Sequence, residues 1–267
     1  MSAWSLSTMQ FRVLWQHMMG DDLPLNFTYG TGEITTVDQA EGMELRARDE
    51  LLASLSADQE AMFAALFRST YTIEVLGFDV RDLDDPRGRI RIFSGGHPAG
   101  FATIAIQRPG PTPEVGGRIQ IAQVPWSRWT TQIVRMLPPS PGPGRLPAIE
   151  GLDNNGDDQH AGADRPTFLV HEIPDPAHDA ARSFYLSPTR HTTGSIVVRA
   201  GSLRDAIPAQ EISLEYRDEP DDGRYVYTHF GRMSAEPVGP EQLAALILRC
   251  LRTVKQRRDD LMEAYTA

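Results

Sequence analysis

Apolar residues recur at helical spacing through the first part of the chain, and this pattern predicts three helices. Ser7 and Gln10 have the spacing of a capping box. The helix that follows them has an apolar face formed by Phe11, Leu14, Trp15 and Met18. A longer helix is predicted over residues 36–55, with an inward face formed by Ala40, Met43, Ala47, Leu51 and Leu55. Another capping box, Ser56 with Gln59, begins the third helix, whose apolar residues are Met62, Phe63, Leu66 and Phe67.

From residue 72 the spacing changes to the alternation that is typical of strands. Strands are predicted over residues 72–81, 89–93, 101–107 and 118–123. In the second of them arginine and isoleucine alternate from Arg89 to Ile92, which predicts one solvated and one buried face. The glycine-rich run 94–100 is interpreted as a hairpin connection. A helix is then predicted from Ser127, with its inner side formed by Trp129, Ile133, Met136 and Leu137.

A change of composition over residues 138–166 divides the chain. This segment is rich in proline, glycine and aspartate, so it buries too little apolar surface to offset its ordering entropy. We therefore predict a partly mobile connection between two halves, residues 1–137 and 167–267, of one domain.

The second half repeats the order of the first. A helix is predicted over 177–186 and strands over 195–200 and 209–217. A further strand begins at Gly223-Arg224, as an earlier one begins at Gly117-Arg118, and both are predicted to lead into a helix. The later helix begins at Pro240. Its apolar stripe consists of Leu243, Leu246, Ile247, Cys250, Val254 and Leu261. The repeated order indicates either a duplicated α+β unit or chance similarity of two simple units.

Composition restricts the class of function. The 267 residues carry a net charge of -10, and the arginines are scattered, so nucleic-acid binding is not expected. Cys250 is the single cysteine, which excludes an intramolecular disulfide. The N-terminus lacks the features of a signal peptide, and no stretch reaches the about 18 apolar residues of a membrane span. We therefore expect a cytoplasmic protein that does not bind membranes.

Candidate chemistry is sparse. His171-Glu172 begins like the zinc motif His-Glu-x-x-His, but Asp175 holds the fifth position and Pro174 prevents the continuous helix that the motif requires. Cys250 lies on an apolar stripe and is interpreted as a core residue rather than a nucleophile. The sequence therefore predicts no catalytic, cofactor-binding or metal site.

Several short motifs, in this order, resemble the EspG family of type VII (ESX) secretion-associated chaperones. Residues 4–15 and 22–25 are similar to the family's N-terminus, and residues 72–75 to its first sheet strand. Residues 139–145 resemble its middle connection. Residues 194–199, 223–225 and 236–240 complete the order, so the resemblance spans nearly the whole chain.

The resemblance implies an α+β fold in which two quasi-symmetric halves share a central antiparallel β-sheet flanked by helices. It also implies a cytosolic chaperone, without cofactor, that binds the apolar helical tip of a PPE protein in a PE–PPE heterodimer. Such a chaperone keeps its substrate soluble and directs it to one secretion system. In family members the connection between the second and third strands and the helical bundle of the second half contact the substrate. On the matching connection here, the implied contact residues are Arg81, Asp82, Leu83, Asp84, Asp85 and Arg87.

Other interpretations are open from the residues themselves. The connection 82–88 is short, so a related helical type VII substrate is an alternative partner, and an acidic turn loop is the non-functional interpretation. A self-associating scaffold would pair its exposed sheet edges between copies. An enzyme with a cleft between the halves would use His171, Glu172 and His178. The free protein is expected to be a monomer or a dimer.

Overall fold

The computed structural model describes residues 3–19, 26–29, 36–97, 99–140, 142–148, 191–201, 208–228 and 234–266. The helices are α1 Thr8–Met19, α2 Val37–Ser54, α3 Ala57–Phe67, α4 Trp129–Met136 and α5 Pro240–Thr266. The strands are β1 Ala3–Leu6, β2 Tyr71–Asp79, β3 Ile90–His97, β4 Phe101–Gln107, β5 Ile119–Pro125, β6 Thr192–Ala200, β7 Gln210–Asp218, β8 Arg224–Thr228 and β9 Ser234–Pro237. The helix predicted over 177–186 lies outside the described residues.

Both predicted capping boxes are confirmed. The Ser7 amide donates to Gln10 Oε1 at 2.9 Å, and the Gln10 amide donates to Ser7 Oγ at 3.1 Å. Ser56 and Gln59 make the same pair of bonds, at 2.9 and 3.3 Å. These bonds satisfy amides that a helix start leaves without partners, which fixes where α1 and α3 begin.

The inward face predicted for α2 is only partly correct. Ala47 and Leu51 are buried, whereas Met43 is 37% exposed. The reason is the position of the helix, because α2 packs against α1 rather than directly on the sheet. A helix in an outer layer buries a narrower stripe than one that lies on a sheet.

The described strands form one nine-stranded antiparallel sheet in the order β1-β5-β4-β3-β2-β6-β7-β8-β9. Strands β2 to β5 form one meander and strands β6 to β9 another. The two meet where β2 pairs with β6 over nine residues, from Tyr71 opposite Ala200 to Asp79 opposite Thr192. This confirms the expected α+β fold, with a central antiparallel sheet flanked by helices. The bounds of the two halves stay a prediction, since residues 149–190 are not described.

One detail of the predicted repeat is wrong. The strand that begins at Gly117-Arg118 is β5, which does lead into a helix, but the strand that begins at Gly223-Arg224 is β8, which leads into β9. By position in the meander, the counterpart of β5 is therefore β9. Alternation of residue types does not reveal strand β9, because the strand has only four residues and ends at Pro237.

Among the described residues, two large apolar cores lie on opposite faces of the sheet, and a small third cluster is formed by Tyr225, Tyr227 and Ala235. Helices α4 and α5 cover one face, where Trp129 and Ile247 belong to a core that continues across both meanders through Ile73 and Ile196. Helices α1 and α3 cover the other face over β3, β4 and β5, and Leu51 of α2 joins this core from the outer layer. That second core contains six buried aromatic residues, which are Phe11, Trp15, Phe27, Phe63, Phe67 and Phe93.

Strand β3 differs from its prediction because it lies inside the sheet with helices on both faces. Arg91 is only 6% exposed and donates to the Pro113 carbonyl, so the expected solvated face does not exist. The strand also continues through Gly95 and Gly96, so the prediction of a hairpin connection over residues 94–100 is wrong for these two residues. A Cβ on Gly95 would overlap Ser69, and one on Gly96 would overlap Trp126 and Trp129. These glycines therefore serve close packing rather than a turn.

Candidate partner-binding site

Three connections meet at one end of the central strands. They are the β2–β3 connection (residues 80–89), the β7–β8 turn (219–223) and the first part of the middle connection (138–140 and 142–148). Between them lies a groove of about 630 Å³. Its walls include Asp79, Arg81, Arg87, Pro138, Pro139, Ser140, Asp218, Glu219 and Asp221. Two of the six predicted contact residues, Arg81 and Arg87, therefore line this groove.

The β2–β3 connection leaves the sheet through an ion pair. Arg81 donates from Nε to Asp79 Oδ1 at 2.9 Å and from Nη2 to Asp79 Oδ2 at 2.5 Å. These charged hydrogen bonds hold the pKa of Asp79 below its usual value. The paired guanidinium remains largely exposed, so it is available to a partner.

The carboxylates of the connection organise its own backbone. Asp82 Oδ1 accepts from the Asp84 amide at 3.1 Å and from the Asp85 amide at 3.2 Å. Asp85 Oδ1 accepts from the Arg87 amide at 2.9 Å, which caps the short 3-10 turn Pro86–Gly88. The Arg87 guanidinium also lowers the pKa of Asp85 through a side-chain hydrogen bond. The connection is thus a pre-organised loop, which reduces the entropy lost on binding.

Leu83 and Asp84 stand out at the tip of this loop. Leu83 is 50% exposed, and Arg89 Nη2 donates to its carbonyl at 2.9 Å. Asp84 is exposed beside it. An exposed apolar side chain on an ordered loop rich in carboxylates suits recognition of a protein surface.

A buried ion pair beside the groove was not predicted as part of a site. Arg224 is 2% exposed, and its Nε and Nη2 donate to Asp218 Oδ1 and Oδ2 at 2.6 and 2.8 Å. The two residues are opposite one another in the β7–β8 pairing. The available signal was a pair of opposite charges on either side of the turn Asp221-Asp222-Gly223.

The structure does not test the alternative interpretation as an enzyme with a cleft between the halves. His171, Glu172 and His178 lie outside the described residues. Within the described ranges, no three His, Cys, Asp or Glu side chains are grouped as a metal ion would require. No helix in that part of the chain is both long and apolar enough to cross a membrane.

Comparison with known proteins gives two matches that agree with each other. A model of the EspG family matches residues 7–248. The fold is similar to that of the Mycobacterium tuberculosis type VII secretion system chaperone EspG5, solved in complex with a PE25–PPE41 dimer. The TM-score is 0.56 at 12% sequence identity, and the alignment covers 94% of this chain and 96% of that one. None of the curated proteins matches this sequence.

Proposed function

This chain belongs to the EspG family, and on that premise we propose that it is a type VII secretion chaperone that binds a PE–PPE heterodimer. The observation that carries the proposal is the family match over residues 7–248. Support comes from EspG5, which has this fold and was solved with a PE–PPE dimer bound.

The physical task of such a chaperone is to cover an apolar surface. An exposed apolar tip on a helical substrate favours self-association, and a bound chaperone removes it from water. Binding the folded substrate also stabilises that substrate by mass action. Release of the substrate needs no covalent bond to be broken, so we propose a protein without enzymatic activity. We also propose that it acts in the cytoplasm.

The β2–β3 connection is the proposed contact surface. Leu83 would enter the interface. A polar rim around it would be formed by Asp82, Asp84, Asp85, Arg81 and Arg87, in which Arg81 is paired with Asp79 and Arg87 with Asp85. This division into an apolar centre and a charged rim is that of stable protein interfaces. Because the loop is ordered by its own hydrogen bonds, little conformational entropy would be lost when a partner binds.

Co-expression tests the proposed function. The PE–PPE pair encoded nearest to this gene would be produced alone, with this chain, and with an unrelated soluble protein of similar size. We expect soluble PE–PPE dimer in quantity only with this chain, and co-purification of the three polypeptides. If the pair is equally soluble in all three cases and never co-purifies, the chaperone assignment is wrong.

A further inference from the structure

The middle connection is attached to the sheet at its start. Residues 138–140 and 142–146, here called the strap, run beside the first residue of β8. The Arg224 amide donates to the Gly142 carbonyl at 2.9 Å, and the Gly144 amide donates to the Arg224 carbonyl at 3.2 Å. Pro143 thereby forms a parallel bridge with Arg224. The strap thus continues the sheet where β9 has ended.

The Arg224 side chain adds a second attachment. Its Nη2 donates to the Pro138 carbonyl at 3.0 Å as well as to Asp218, and the guanidinium carbon lies 5.2 Å from the centre of the Tyr216 ring. Charges that are this deeply buried lose most of their attraction to the cost of desolvation. The Arg224–Asp218 pair is therefore better explained by the geometry it imposes than by stability.

Asp222 and Tyr225 hold the far end of the strap. Asp222 Oδ1 accepts from the Arg145 amide at 2.7 Å. The Tyr225 hydroxyl donates to Asp222 Oδ2 at 2.6 Å and accepts from the Leu146 amide at 3.0 Å. The glycines permit this approach, because a Cβ on Gly144 would overlap the Tyr225 ring and one on Gly223 would overlap the backbone of Pro143.

The strap separates two cavities. Pro138, Pro139 and Ser140 line the groove beside the β2–β3 connection, and the same residues line a second cavity of about 620 Å³ between α4 and α5. Arg224 lines that second cavity, underneath the strap. The contacts that hold the strap in place therefore also hold one wall of the groove that Arg81 and Arg87 line.

We infer that Arg224 is a positioning residue for partner binding, which holds the strap in place as the wall opposite the β2–β3 connection. It would act through Pro138 and the strap backbone rather than by touching the partner. The inference rests on the proposed function for its effect on binding, but the attachment of the strap is a property of the free protein.

The test combines hydrogen exchange of the free protein with binding of the PE–PPE dimer. Arg224→Met removes the guanidinium, and the double variant D218L/R224M removes both buried charges while keeping an apolar filling, so it preserves the fold if the single variant does not. The matched control is E74L/R199M, which removes the 2.7 Å ion pair between β2 and β6 and the bond of Arg199 to Glu211, at residues that line neither cavity.

The variants remove the bond to Pro138, so we expect the amides of residues 224 and 144, which pair the strap with β8, to exchange at least about tenfold faster, with affinity for the dimer reduced by a similar factor. The control should change neither quantity. Faster exchange with unchanged affinity would reduce Arg224 to a structural residue and overturn the inference. Unchanged exchange in a protein that still binds would overturn the inference alone. Absence of binding by the unaltered protein would overturn the proposed function and the claimed effect on binding, even with the strap shown to be attached.

Discussion

Tyr216 lies across two neighbouring strands at a point where both carry glycine. Gly77 of β2 is opposite Gly194 of β6, and Gly194 is opposite Tyr216 of β7. A Cβ on Gly77 would overlap the Tyr216 hydroxyl, and one on Gly194 would come within 2.7 Å of the ring. The glycines therefore allow a buried aromatic ring to pack directly on the strand backbones at the junction of the two meanders.

Substitution of these glycines tests that packing. Gly77→Ala should lower the free energy of unfolding by about 1–3 kcal/mol, because the methyl group overpacks a closed site. Gly42→Ala is the matched control, since the Gly42 position in α2 has no atom within 4 Å of the added methyl group. The control should raise stability by about 0.5–1 kcal/mol through helix propensity. Urea unfolding of both variants measures the two effects, and equal effects would contradict this packing.

Cys250 gives a second prediction at this scale. The residue is 1% exposed in the core under α5, and burial raises the pKa of its thiol to about 11. Since the thiolate is the reactive form, the native protein should not react with Ellman's reagent at pH 7.5, whereas the unfolded protein should react fully. Leu52→Cys, at a position that is 71% exposed, is the reactive control. Reaction of Cys250 at the rate of that control would refute the core assignment.

At the scale of elements, the β2–β3 connection depends on carboxylates with lowered pKa values. Arg81 stabilises ionised Asp79, and Arg87 stabilises ionised Asp85. A lowered pKa in the folded state means that each ion pair stabilises the loop at pH values above 3.8, the ordinary pKa of aspartate. This stabilisation is lost as the pH falls from 3.8 through the lowered pKa. The conformation of the loop should therefore be constant from pH 8 to about pH 5 and change only in stronger acid.

Carboxyl-carbon NMR titration measures this directly. Asp79 and Asp85 should both titrate below 3.8. In Arg81→Gln the Asp79 midpoint should rise while Asp85 stays low, and Arg87→Gln should give the converse. If both carboxyl groups keep their titration midpoints in these variants, the guanidinium groups are not the cause of the lowered pKa values.

Some features of these elements could be predicted from the sequence, and others could not. The capping boxes and the apolar faces of α1 and α3 were predicted correctly because their determinants lie within a few residues of each other. The burial of Arg91 was missed because it depends on which strands lie beside β3 and on the β4–β5 connection, whose Pro113 carbonyl accepts a bond from its guanidinium. Alternation of residue types carries no information about a strand's place in a sheet.

The candidate site shows the same limit. Aspartates and a proline at 82–86 favour an ordered turn, and that much follows from the residues. The groove beside it depends on the strap and on β8, which are brought there by pairings between residues about 80 positions apart. A partner-binding role for the loop came only from the resemblance to EspG proteins.

At the scale of the whole molecule, the two meanders share one core and cannot be treated as separate domains. The core under α4 and α5 runs without interruption from Ile104 in β4 through Ile73 and Ile196 to Leu214 in β7. The β2–β3 connection belongs to the first meander, whereas Arg224, which anchors the strap, belongs to the second. We therefore attribute the proposed binding surface to the junction of the halves rather than to either alone.

Calorimetric titration of the purified PE–PPE dimer with this protein tests whether the dimer binds through the β2–β3 connection. Leu83→Asp replaces the exposed apolar residue of the β2–β3 connection, and Leu52→Asp makes the same change at an exposed position on α2. We expect one chaperone per dimer, with affinity about thirtyfold weaker for Leu83→Asp, as loss of one buried leucine implies, and unchanged for Leu52→Asp. Full affinity in Leu83→Asp would contradict binding through this loop, and no binding by the unaltered protein would contradict the proposed function itself.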